Sequence, residues 1–218
     1  MAQREVAARE IPEELAEKLF HAAFSLFGEK GFERTTMEEV AAHSGVARAT
    51  LYYYFRGKDD LFLFLLERGV AMLGVMLSEA TQSGANARER LEHALDRLVD
   101  LMAEFRDVLL VAMQQFGRIA SNTGEEHAWI HDRSTGTLRA ILEEGVKDGS
   151  LRPVDAESTA LAIFGGACWI CLHHIQTSGR VPTSEVKTLL RRLCTRLSSR
   201  FNSNFRVQAS LSGQIRLS

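Results

Sequence analysis

The stretch from Thr36 to Lys58 (TMEEVAAHSGVARATLYYYFRGK) constrains this chain more than any other. Thr36 followed three residues later by Glu39 predicts a helix start. The threonine oxygen accepts from a first-turn N–H and the glutamate reaches back to the threonine N–H. Val40 and Ala41 give that helix an apolar side. Gly45 takes a left-handed backbone angle cheaply, so it can end the helix and reverse the chain. Val46 then plugs the gap to a second short helix, in which Leu51, Tyr52 and Phe55 read as the inward side at spacings of three and four. Arg48, Ala49, Thr50, Tyr53 and Tyr54 are left for its start and outer side. A helix, a glycine turn and a second helix that turns cations and aromatics outward is the layout of a helix-turn-helix DNA reader.

The outward residues have the chemistry for that task. Arginine forks onto guanine, and a threonine methyl meets the thymine methyl. Tyrosine hydroxyls and lysine anchor phosphates. From His43 to Lys58 the chain carries Arg48, Arg56 and Lys58 and no acid. Three consecutive tyrosines cannot share one buried face of one helix, so a purely structural hairpin does not account for them.

Taken with the helix before it, the stretch resembles the DNA-binding domain of the tetracycline repressor (TetR) family. The matching residues are Gly31-Phe32, Thr35-Thr36, Ser44-Gly45-Val46, Thr50-Leu51-Tyr52-Tyr53-Tyr54-Phe55 and Gly57-Lys58-Asp59, about the first quarter of the chain. The resemblance implies phosphate contacts from Thr36, Tyr54 and Lys58 and groove contacts from Arg48, Thr50 and Tyr53. Ala47 stands where the family usually has a serine cap, a loss of about 1 kcal/mol of local helix stability.

The chain has 218 residues, 45% hydrophobic and 25% charged, with three prolines and three cysteines. That is an ordinary globular composition, rich in helix formers. No apolar run reads as a membrane span, the charged N-terminus lacks a signal core, and an odd cysteine count makes no disulfide framework. A cytoplasmic location with no membrane partner is expected. The net charge is −2, and residues 1–60 hold eight Lys or Arg against eleven Asp or Glu. A general DNA-coating protein would be basic. A sequence reader needs only a local basic face, which predicts steep salt sensitivity and weak nonspecific binding.

Helical spacing continues downstream. A first helix starts at Pro12 and ends at Gly28–Gly31, with Phe20 and Phe24 turned toward a fourth helix that begins after Gly57. One long helix is predicted from Ala87 to Phe116, another from Glu125 to Lys147, an apolar one capped by Asp155 and running to Ile175, and a last one from Ser184 to about Arg200. The expected architecture is all-α. Residues 1–58 form a three-helix helix-turn-helix domain, 59–201 a helical ligand-binding and dimerisation domain, and 202–218 a flexible tail.

The last two helices resemble by position the family's dimer-forming pair, so a homodimer is expected to read a palindromic operator. The resemblance also implies a cavity for a small-molecule effector, which would favour one conformer and release DNA. Phe105, Met113, Phe116, Trp129 and Trp169 are the bulky candidates for an apolar lining. His127, His131, His173 and His174 are candidates for a polar end. The reading is therefore a repressor released by a small apolar or aromatic molecule, with no cofactor. The alternative is a metal- or redox-sensing repressor using Cys168, Cys171 and His174, which share a helical face. No phosphate loop, Gly-x-Ser-x-Gly elbow or His-Glu-x-x-His supports an enzyme.

Overall fold

Caps and glycines set most of the element boundaries. The computed structural model describes residues 10–123, 128–195 and 197, with the side chains of 116–131 left out. Among the described residues there are nine α-helices and no strand, only an isolated bridge at Leu151. The helices are α1 (Glu13–Lys30), α2 (Met37–Ser44), α3 (Arg48–Tyr54), α4 (Lys58–Ala80), α5 (Ala87–Glu104), α6 (Arg106–Thr123), α7 (Ala128–Lys147), α8 (Ala156–Ser178) and α9 (Thr183–Thr195). Asn86 caps α5 by accepting from the Glu89 N–H, and Asp155 caps α8 by accepting from the Ser158 N–H. Gly45 and Gly179 close α2 and α8 in the left-handed region, at φ 69° and 70°. The expected tail, 202–218, lies outside the described residues.

Two apolar cores form. The first joins α1, α2, α3 and the first half of α4 around Leu19, Phe24, Phe27, Val40, Leu51, Phe55, Phe62 and Leu65. Its aromatic rings meet edge-on. Phe24, Phe27 and Phe32 each stand 5.2–6.2 Å from Phe62. The second core joins α5, α7, α8 and α9 around Leu91, Leu95, Leu98, Leu138, Leu142, Cys171 and Leu190. Helix α4 serves both: Leu61 to Val70 belong to the first, and Leu77 to the second.

The single helix expected from Ala87 to Phe116 is two helices. The chain breaks at Phe105 (φ −102°, ψ 40°), although neither glycine nor proline is present. The reason is tertiary. Phe105 packs against both cores, and the break lets α5 stay in the body while α6 turns to pack along α1 and α8. The expectation about apolar runs also needs correction: α4 and α8 are both long and apolar enough to cross a membrane. In α4 the excess is used by the two cores.

Two glycines of α7 separate helix propensity from packing. A β-carbon at Gly145 would sit 2.5 Å from Leu151 Cδ1 and 2.9 Å from Ala87 Cβ, whereas at Gly136 it meets nothing within 4 Å. Gly145→Ala is expected to destabilise by ~1–3 kcal/mol through overpacking. Gly136→Ala is expected to stabilise by ~0.5–1 kcal/mol. Thermal unfolding of both variants checks the opposite signs.

Candidate nucleic-acid interface and effector cavity

The reading face is built on the α2 start. Thr36 Oγ1 accepts from the Glu39 N–H at 3.2 Å, and Glu39 Oε2 accepts from the Thr36 N–H at 3.0 Å, so both halves of the capping box are made. The Lys30 amine lies 2.6 Å from the other Glu39 oxygen, and together with the Thr36 N–H it holds that carboxyl below its ordinary range. Helix α3 starts at Arg48 with no side-chain cap from Ala47, and it has only seven residues. Its hold on the fold is Leu51 and Phe55, 1% and 3% exposed.

The third inward residue differs from the sequence expectation. Tyr52 is 45% exposed and Tyr54 is half-buried against the first core. Spacing decides this: Leu51, Tyr54 and Phe55 stand at i, i+3 and i+4, which is one helical face, whereas Tyr52 lies about 100° away from Leu51. Tyr53 is 55% exposed and stacks edge-on with Tyr54 at 5.0 Å. Thr50 is half-buried and Arg48 is exposed.

Lys58 occupies a place the sequence did not suggest. Its amine donates to the carbonyls of Phe32, Glu33 and Thr35 at 2.6, 3.0 and 2.9 Å and lies 4.5 Å from the centre of the Phe32 ring. An ammonium has three protons, so all are committed to the turn between α1 and α2. Arg48 is also partnered: its Nη2 lies 2.6 Å from Glu38 Oε1, an acid outside the acid-free window of the sequence.

A second feature lies deeper. A partly open cavity of about 140 Å³ lies between α4, α5, α6 and α8, with Phe20 of α1 in its wall. Met72, Met76, Met102, Phe105, Leu109 and Phe164 line it. Of the residues expected to meet a ligand, Phe105 is in the wall. Met113 is half-buried outside it. Phe116 and Trp129 fall outside the described side chains. Trp169 does not face the cavity: it is 67% exposed on the outer side of α8, and its neighbour Cys168 lines the wall instead. Phe20 was legible as an apolar residue beside the main stripe of α1, and it meets α4 as that position suggests. A β-carbon at Gly69 would stand 3.4 Å from its ring.

The cysteines have the character of core residues. Burial pushes the Cys168 and Cys194 thiols up to about 12 and Cys171 up to about 11, so at neutral pH they are protonated and poor ligands. No group of His, Cys, Asp or Glu among the described residues is arranged to hold a metal, and nothing supports the metal- or redox-sensing alternative. His173 and His174 stack on each other at 5.6 Å and do not line the cavity. His127 and the His131 side chain lie outside the described residues.

Comparison with known proteins agrees with this architecture. Residues 19–65 match the family described as bacterial regulatory proteins, tetR family, and residues 84–197 match the tetracyclin repressor-like C-terminal domain. The HTH-type transcriptional repressor KstR2 of Rhodococcus jostii is 27% identical over 180 residues, covering 78% of this chain and 83% of its own length. Among solved structures, the fatty acid degradation regulator FadR of Bacillus halodurans superposes with a TM-score of 0.76 at 16% identity, over 85% of this chain and 96% of that one. FadR of Bacillus subtilis in complex with stearoyl-CoA superposes at 0.72 and 20% identity, over 84% and 98%.

The three-carbonyl clasp generates a stability prediction. Lys58→Ala leaves those carbonyls without the amine and is expected to destabilise by ~1–3 kcal/mol. Arg56→Ala, at an exposed neighbour, should change stability by less than about 0.5 kcal/mol. Chemical denaturation of the two variants measures the difference.

Proposed function

Because the chain belongs to the tetracycline repressor family of transcriptional regulators, we propose that it is a homodimeric cytoplasmic repressor. In this reading it binds a palindromic operator and is released when a small apolar or aromatic molecule enters the cavity. The observation that carries the proposal is Phe20: one ring belongs to the core of the reader and to the wall of the cavity.

The groove contacts fall to Arg48, Thr50 and Tyr53, and the phosphate contacts to Thr36 and Tyr54. Thr36 Oγ1 accepts in the capping box and keeps its own proton to donate to a phosphate. Lys58 acts in this reading by holding the α1–α2 turn, which positions Thr36, in place of reaching a phosphate itself. Domain limits of 1–58 for the reader and 59–201 for the sensor suit this division, with α4 crossing between them.

Dimerisation through α8 and α9 is supported by their exposed apolar residues. Leu161 and Trp169 on α8 and Leu189 and Leu193 on α9 are 44–67% exposed. Leu161, Gly165 and Trp169 recur every four residues along one line, and a β-carbon at Gly165 or Gly166 would meet nothing. Exposed apolar area of this kind, gathered on two neighbouring helices, suits a second copy.

The cavity supports the effector class. An apolar cavity of about 150 Å³ takes a benzene-sized body. Three methionines in the wall let it reshape for a longer chain. A body pressing on Phe20 and Phe105 acts on α1 and on the α5–α6 break together, and both move the reader relative to the second core.

Selection of bound fragments from random duplex DNA tests the reader. An enriched inverted repeat is expected, with Arg48→Ala and Tyr53→Ala both losing the enrichment while thermal unfolding and sedimentation stay unchanged. A pool with no enriched repeat contradicts the proposal.

The coupling is tested without any ligand. Ala112→Phe or Met72→Phe places a ring in the cavity and is expected to weaken operator binding at least tenfold. Adding Phe20→Ala should restore most of it. Folded variants that bind the operator as tightly as the original chain contradict the release mechanism.

A further inference from the structure

A carboxylate on the DNA-facing side of a DNA reader is electrostatically costly beside phosphates, and Glu38 is such a group. It sits in the first turn of α2, is exposed, and meets two residues of α3. Arg48 Nη2 lies 2.6 Å from its Oε1, and the Tyr52 hydroxyl donates to the same oxygen at 3.4 Å. The Arg48 guanidinium also lies over the Tyr52 ring, 5.4 Å from its centre. Two of these contacts fall on the arginine expected to read a base, and the third ties its two partners to each other.

Stability does not explain the cluster. The Arg48 and Glu38 side chains are 65% and 45% exposed, and ion pairs so exposed contribute little. Helices α2 and α3 are already joined by the Gly45 turn and by Leu51 and Val40 in one core.

Resting on the repressor reading above, we propose that Glu38 is a specificity-determining residue of the reader, which withholds Arg48 from phosphates and yields it to guanine. On arbitrary DNA a free arginine adds sequence-independent affinity through counterion release. Held by Glu38, Arg48 gains little there, because it exchanges one carboxylate for one phosphate and leaves Glu38 facing the backbone. At the operator, guanine offers O6 and N7 side by side to both guanidinium N–H groups. That two-point contact outweighs the single carboxylate. The Tyr52 hydroxyl stays on Glu38 and keeps it hydrogen-bonded once Arg48 has left. Tyr52 thus has a role on the outside of α3 that its neighbours Leu51 and Phe55 do not share.

The test compares Glu38→Gln with the original chain on the selected operator and on a scrambled duplex, over a range of salt. Glu38→Gln is expected to raise affinity for the scrambled duplex ~3–10-fold and operator affinity less. Its salt dependence on the scrambled duplex should steepen by about one released ion. In an Arg48→Ala background the same substitution should raise both affinities alike, through loss of one negative charge beside the phosphates, and leave the specificity ratio unchanged. An unchanged specificity ratio overturns the proposal. So does an equal fall in both affinities with lower thermal stability, which marks a structural staple. A change in the specificity ratio that persists without Arg48 also overturns it. If the original chain itself does not prefer the operator, the repressor reading fails and this proposal falls with it.

Discussion

The burial of one side of α1 against α4 is the constraint on which the rest depends. Helices of seven and eight residues are far below the length at which an isolated helix holds together in water, so α2 and α3 exist only because α1 and α4 supply a surface for them. Leu19, Phe20, Phe24 and Phe27 are all at most 4% exposed, as are Phe62 and Leu65 across from them. At ~1.5–3 kcal/mol for each large apolar side chain buried, this seam outweighs the missing cap at Ala47. It also fixes where the reading face points, because Lys58 ties the first residue of α4 to the turn that precedes α2.

The same seam joins the reader to the cavity. Phe20 faces Phe105 at 6.5 Å, edge to face, and Phe105 is the residue at which α5 gives way to α6. Close-packed interiors transmit displacement because they have no slack. Along this route the missing β-carbon of Gly69 brings α4 to the Phe20 ring. The cavity beside it is an apolar space walled partly by methionine, so it is a place where packing can change with little polar rearrangement.

Local chemistry was legible in the sequence, and tertiary choices were less so. The Thr36–Glu39 box, the Gly45 turn and the Asp155 cap depend on residues three or four apart, and each formed as the spacing predicts. The break at Phe105 left no trace, because the apolar period runs through it unchanged and only the competing cores at its two sides demand it. Tyr52 and Tyr54 exchanged roles because a run of three tyrosines gives no contrast from which to read a face. Lys58 and Glu38 were hidden for another reason. Their partners lie 23–26 and 10 residues away, and a window of local charge cannot show that one cation is spent on carbonyls and another on an acid. Trp169 illustrates the limit for cavities. Adjacent helical residues point about 100° apart, so Cys168 reaches the wall and Trp169 the outside.

The central claim is that filling the cavity moves the two readers of a dimer. The direct measurement is the distance between spin labels at Arg56→Cys in the two protomers, in the original background and with Ala112→Phe. The native cysteines are buried, with thiols pushed up to about 11 or 12, so the label goes to position 56. A single interprotomer distance that shifts when the ring is added is the predicted result. The same distance in both chains, or no interprotomer signal at all, would contradict the account.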